Sequence, residues 1–262
     1  MAALIVVFAV SLYMAISIRG EQAQEASAFH ELADAVAQIR STHAPEADGQ
    51  ADEKTRNTLK DVPVLLPEYQ ELYKSNHDLF GWISIEDTEL DYPVMYTPRE
   101  SEYYLRRAFD GSDSQSGTPF VDGACRVDGS FYLIYGHHMK NGTMFGSLTN
   151  YADAAWCESH PVIRFDTIYE RREYAVMAAF YADAAESAEG FRYYEYTDLA
   201  EQNVFEEYIR HVKDAALYDT GVTAAYGDEL IALSTCSYHT SEGRFVVVAK
   251  RMTENPTVTA DS

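Results

Sequence analysis

Eight short apolar runs between Gly81 and Arg251 constrain the fold of this chain more than any other feature. They read GWISI, LDYPVM, GTPFVD, SFYLIYGHH, PVIRFD, REYAVMAAFY, ELIALSTC and RFVVVAKR. Each has strand length and is rich in β-branched and aromatic residues, which suit a pleated, half-buried surface. The chain's 20 tyrosines and 12 phenylalanines point the same way. One strong helix interrupts the series, in TDLAEQNVFEEYIRHVKDAALY. There Val204, Phe205, Tyr208, Ile209 and Val212 fall on one face, and Leu217 extends it. PEYQELYKSNHDLF reads as a short helix, SEYYLRRAF as a helical turn, and TMFGSLTNYADAAWCESH as a partly helical crossover. A doubly wound sheet alternates strand and helix, and this chain does not. The expected fold is mostly β: an eight-stranded, mostly antiparallel barrel with helices on its rim, over residues 62–252.

Ahead of that body, Ala2 to Ile18 is apolar and uncharged. As a helix it is about 25 Å long, enough to cross a thin hydrocarbon core. The residues around Ser17 to Gly20 make a poor small-x-small cleavage site. An uncleaved signal anchor over residues 1–20 is therefore expected, rather than a removed signal peptide. Next, Ala26, Phe29, Leu32, Ala33, Val36 and Ile39 recur at helical spacing. They predict a stalk helix with one apolar stripe that packs on something. With the polar linker that follows, it fills residues 21–61, and residues 253–262 form a tail. Twenty basic residues against 42 acidic ones give a net charge of −22. Such a field repels nucleic-acid phosphates, so no nucleic-acid partner is expected.

The three cysteines are not alike. Cys125 and Cys157 read as buried small residues, with a disulfide between them as the alternative. Cys236 ends ELIALSTC and precedes the polar loop SYHTSEG. A nucleophilic thiol wants partial exposure and positive charge nearby, which the rim of a strand supplies. Arg244 opens the next run eight residues on, and a hairpin sets strand end beside strand start. Its guanidinium stays charged and stabilises an oxyanion or holds a carbonyl. His137 and His138 end another strand after Gly136. Neighbouring strand residues face opposite ways, so only one of the two shares a pocket with a given partner. Zinc is the competing chemistry, through Cys236, His239, His137 and His138. Only one Cys-x2-His pair is present and HExxH is absent, so no metal is expected. At this level Cys236 is a buried thiol, half of a disulfide, a metal ligand or a nucleophile.

LSTC followed by an arginine at the next strand start, with YGHHMKNGTMFGSL about a hundred residues earlier, resembles the sortase family. GWISIEDTELDYPVM, SEYYLRRAFDGSDSQSGTPFVD, GRFVVVAKR and the long helix before GDELIALSTC resemble class B sortases in particular. The resemblance covers about Leu66 to Met252. It implies a Cys-His-Arg site, with Cys236 as nucleophile, His137 as catalytic histidine, His138 facing away, and Arg244 as catalytic arginine. Tyr135, Ser234, Thr235, Leu105 and Ser101 match substrate-groove positions. Ser101 stands where many class B enzymes have asparagine, Ala232 replaces the first threonine of the nucleophile motif, and Ser237 follows the cysteine where acidic residues are frequent.

The resemblance further implies a cofactor-free, membrane-anchored transpeptidase on the wall-facing side of the cell membrane. Its substrates are secreted proteins with a C-terminal sorting signal, cleaved after a threonine. The new carboxyl passes through a thioester to an amine of the peptidoglycan cross-bridge or to a pilin lysine. A thiol hydrolase on the same site, a pilin polymerase in place of a wall-anchoring enzyme, and a non-catalytic peptide-binding barrel are the other readings of these residues.

Overall fold

The computed structural model describes residues 2–42, 63–185, 190–237 and 242–253, with side chains from residue 19 onward. The side chains of the expected signal anchor, nearly all of the expected linker and the end of the tail lie outside the described residues. Among the described residues, no helix is long and apolar enough to cross a membrane.

The apolar runs form eight strands: β1 (Leu79–Ser84), β2 (Asp91–Met95), β3 (Phe120–Val121), β4 (Phe131–Tyr135), β5 (Val162–Thr167), β6 (Glu173–Asp183), β7 (Leu230–Cys236) and β8 (Gly243–Arg251). They close into a barrel in the order β1-β2-β3-β4-β7-β8-β6-β5. Six joints are antiparallel, and two, β2/β3 and β4/β7, are parallel. β7 lies between β4 and β8, and all of it but Cys236 is buried. A strand covered on both faces reads as a continuous apolar run rather than an alternating one, as ELIALSTC does.

Two helices pack on this barrel at length. α1 spans Ala2–Thr42, and the short helices α2 (Gln70–Ser75) and α3 (Ala154–Ser159) precede α4 (Gln202–Ala215) in the chain. α4 buries Phe205, Tyr208, Ile209 and Val212, each burial worth roughly 1.5–3 kcal/mol. Tyr208 meets Phe131 of β4 edge-on at 5.2 Å. Leu217 does not extend this face. The helix ends two residues earlier, and the Leu217 side chain is 44% exposed while its N–H bonds the Ala179 carbonyl of β6.

The predicted stripe on α1 finds its partner in the barrel wall. Phe29 and Val36 are buried, and Phe29 meets Tyr92 of β2 edge-on at 5.5 Å. Near the helix C-terminus, Arg40 binds Asp166 of β5 at 2.5 Å, Glu68 at 3.4 Å, and the Tyr69 hydroxyl. Further up, the Glu25 carboxylate accepts from the N–H groups of Gln115 and Ser116 at 3.0 and 3.3 Å. From Glu25 to Arg40 the helix is therefore strapped along the barrel at several points.

Candidate active site

The register of three neighbouring strands builds the site. β4 and β7 run parallel, with Tyr135 opposite Ser234. His137 and Cys236 each lie two residues beyond that last pair, at the same end of the barrel. On the other side of β7, Cys236 pairs directly with Arg244 of β8. Directly paired residues share a face, so Cys236 and Arg244 sit side by side at the rim, and His137 lines the same cavity. A hairpin explains the first pair. His137 comes there through the long-range parallel pairing of β4 with β7, with 98 positions of chain between it and Cys236.

The turn that lifts His137 out of β4 depends on Gly136. A Cβ there would lie 2.6 to 2.8 Å from three ring atoms of Phe145, which is fully buried. No larger residue fits without moving one of them. The Phe145 N–H also bonds the His137 carbonyl at 2.9 Å. The histidine's main chain is thus fixed to a core aromatic.

His137 Nε2 lies 2.8 Å from the Leu105 carbonyl. A carbonyl only accepts, so this nitrogen carries the proton, and Nδ1 of the neutral ring is free to exchange one. Burial holds the imidazole below its usual range. The Leu105 hydrogen bond opposes that shift, and the nearby Arg106 guanidinium adds to it. Arg244 Nη1 donates to the carbonyls of Glu242 and Gly243 at 3.3 and 3.1 Å, which draws its guanidinium toward the start of β8. Cys236 is partly exposed, whereas Cys125 and Cys157 are buried free thiols. The alternative of a disulfide between those two is therefore not realised. Burial pushes the Cys125 thiol up to about 12, which leaves it protonated at neutral pH.

A cavity of about 420 Å³ opens over His137, Cys236 and Arg244. All eight residues expected at the site line it: Ser101, Leu105, Tyr135, His137, Ser234, Thr235, Cys236 and Arg244. Hollows of about 980 and 1270 Å³ lie elsewhere, the first beside α1, but neither has a cysteine or histidine in its wall. Chemistry rather than size therefore selects the smaller one. The Ser234 and Thr235 hydroxyls already have partners. Thr235 donates to the Gly136 carbonyl at 2.8 Å, and Ser234 shares a 2.7 Å bond with the Tyr193 hydroxyl.

Tyr193 and Asp122, which the sequence reading does not single out, also line the cavity. Burial pushes the Tyr193 phenol up to about 12. Asp122 accepts from the Tyr135 hydroxyl at 3.2 Å. The run FRYYEY just before α4 is the one sequence signal for Tyr193, and it is diluted among 20 tyrosines. His138 stays out of the cavity as expected, yet its Nδ1 reaches the main-chain carbonyl of Cys236 at 2.9 Å, a contact the sequence does not announce. His239, weighed above as a ligand, lies outside the described residues.

Comparisons with known proteins agree with this geometry. The sortase domain family matches residues 83–252. Sortase B of Listeria monocytogenes is 32% identical over 193 residues, covering 71% of this chain and 75% of the relative. The Staphylococcus aureus sortase B-substrate complex superposes with a TM-score of 0.74 at 25% identity, covering 90% of this chain and 99% of that one. A sortase B complexed with triglycine gives 0.73 at 26% identity, covering 90% and 100%. With a cysteine, a histidine and an arginine lining one cavity of an eight-stranded barrel, and with the family match over residues 83–252, the chain belongs to the sortase family of transpeptidases, and its relatives are of class B.

Proposed function

We propose that this chain is a membrane-tethered cysteine transpeptidase that cleaves a sorting signal near the C-terminus of secreted proteins, after a threonine, and joins the new carboxyl to an amine. The observation that carries this reading is the set His137, Cys236 and Arg244 lining one cavity. The Cys236 thiolate attacks the threonine carbonyl, and the Arg244 guanidinium stabilises the oxyanion that develops. The Ser237 N–H, the nearest backbone donor on the C-terminal side, is already committed to the Gly243 carbonyl at 2.8 Å. His137 as imidazolium gives its Nδ1 proton to the leaving amine, and the thioester forms as the peptide bond breaks. The neutral imidazole then takes a proton from the incoming amine, which attacks the thioester and regenerates the thiolate. Burial favours the neutral form of the His137 imidazole.

The acceptor is an amine of the peptidoglycan cross-bridge or a lysine of another surface protein. Similarity to a sortase B complexed with triglycine supports the first. The uncharged segment Ala2 to Ile18 supports single-pass anchoring in the cell membrane with the barrel on the wall-facing side. Anchoring confines enzyme and tethered substrate to two dimensions, which raises their effective concentration. Product analysis with and without triglycine tests the reaction. Transpeptidation predicts a triglycine-linked product and none with Cys236→Ala. Free acid alone, whatever the triglycine concentration, identifies a hydrolase instead. Peptide binding without turnover identifies a non-catalytic barrel.

A further inference from the structure

The strands that carry the nucleophile and the histidine stop pairing as a regular ladder before the chemistry begins. The β4/β7 register ends at Tyr135 and Ser234. Three hydrogen bonds continue the seam beyond it. The Gly136 N–H donates to the Ser234 carbonyl at 3.1 Å, and the Thr235 hydroxyl to the Gly136 carbonyl at 2.8 Å. The third runs from His138 Nδ1 to the Cys236 carbonyl at 2.9 Å, and it reaches the nucleophilic residue itself. Because a carbonyl only accepts, His138 Nδ1 carries the proton in this contact.

From the other side, the Ser237 N–H donates to the Gly243 carbonyl at 2.8 Å. The peptide unit joining Cys236 to Ser237 is therefore held at both its polar groups, one by β8 and one by His138. Fixing that plane fixes the backbone torsion after the nucleophile. It thereby helps to set the direction of the Cα–Cβ bond from which Sγ departs. The holder is itself firmly placed. His138 bridges Met144, the Met144 N–H bonds the Tyr92 hydroxyl at 3.0 Å, and the Phe145 N–H bonds the His137 carbonyl at 2.9 Å. Since His138 directly follows His137, the same bond also sets the spacing between the main chains of the histidine and the nucleophile.

We propose that His138 is a positioning residue: its Nδ1–H clamps the Cys236 carbonyl and aims the thiolate at the substrate carbonyl. The proposal rests on the reading of Cys236 as the nucleophile. A misplacement of about 1 Å at a reacting atom costs on the order of a hundredfold in rate, so losing one clamp has a measurable effect on turnover.

The test uses the full chain in detergent, a sorting-motif peptide and triglycine. His138→Asn keeps an N–H donor where Nδ1 sits, His138→Gln moves it to the Nε2 position, and His138→Leu removes it. The clamp predicts that Leu and Gln each lower kcat about tenfold or more, with the peptide KM within roughly threefold. It predicts that Asn stays within roughly threefold of wild type in kcat. Thermal melting accompanies each variant. If His138→Leu does not fold, the Asn and Gln pair carries the comparison. The proposal falls if Leu or Gln keeps more than half of the wild-type kcat, or if Asn loses as much as Leu. A wild-type protein that forms no thioester on Cys236 overturns the reading of the nucleophile instead, so the two failures are distinct.

Discussion

Gly136→Ala is the substitution whose effect the structure specifies most closely. The added Cβ would stand 2.6, 2.7 and 2.8 Å from Cγ, Cδ2 and Cδ1 of Phe145, where carbon atoms normally keep about 3.5–4.0 Å. Roughly 1 Å of relief is needed. The Phe145 ring is fully buried and has no room to retreat. Its N–H holds the His137 carbonyl, so movement of either partner carries the histidine with it. Overpacking of this kind costs about 1–3 kcal/mol, and a domain of this size loses roughly 2–4 °C in Tm per kcal/mol. Transpeptidation should fall by more than the unfolded fraction explains, because the displaced group is His137. Phe145→Leu makes space for the Cβ at its own cost of about 1–2 kcal/mol. In the double variant the two losses should partly cancel, with a coupling of at least about 1 kcal/mol by urea unfolding. Losses that simply add, to within about 0.5 kcal/mol, would refute the steric argument.

Further predictions concern charge. Arg106→Gln removes a cation that helps to lower the His137 pKa, so an imidazole NMR titration should show that pKa rising. A fall would contradict the assignment. The same depression gives a stability signature. Below the unfolded value of about 6.5 the unfolded chain takes up this proton before the folded one. The His137 contribution is therefore full above that pH and is lost as pH falls through the folded value, and His137→Gln should flatten that part of the urea-stability profile. Arg40→Leu uncouples the C-terminal end of α1 from Asp166, whose side chain is 7% exposed. It should cost about 3 kcal/mol, the low end for breaking a buried pair, because the Tyr69 hydroxyl and the Arg172 N–H still reach that carboxylate. Unchanged urea stability would show that the strap does not hold.

The barrel was legible in the sequence because its strands are unusually apolar. β7 is buried up to Cys236 and β8 from Phe245 to Ala249, and both stand out as short greasy runs bounded by charge. The nearness of Arg244 to Cys236 was legible too, since a hairpin makes it local. The place of His137 was not readable from periodicity, because the parallel β4/β7 pairing joins segments about a hundred residues apart. Family resemblance supplied it. The apolar stripe of α1 was visible without its partner, as Tyr92 and Asp166 are reached only through the closed barrel. The alternation of adjacent strand residues holds, since His137 lines the cavity and His138 does not, but it gave no hint of the bond His138 makes. Its ring folds back on the neighbouring strand's main chain, and side-chain periodicity carries no information about backbone acceptors.

The central claim is that Cys236 carries the acyl group. The direct measurement is to incubate the full chain with secreted proteins in the absence of amine, quench in acid, digest, and sequence whatever is attached to Cys236. The account predicts a fragment joined through a C-terminal threonine carboxyl as a thioester, discharged on adding triglycine. No adduct, an adduct on another residue, or a thioester whose loss triglycine does not accelerate would contradict it.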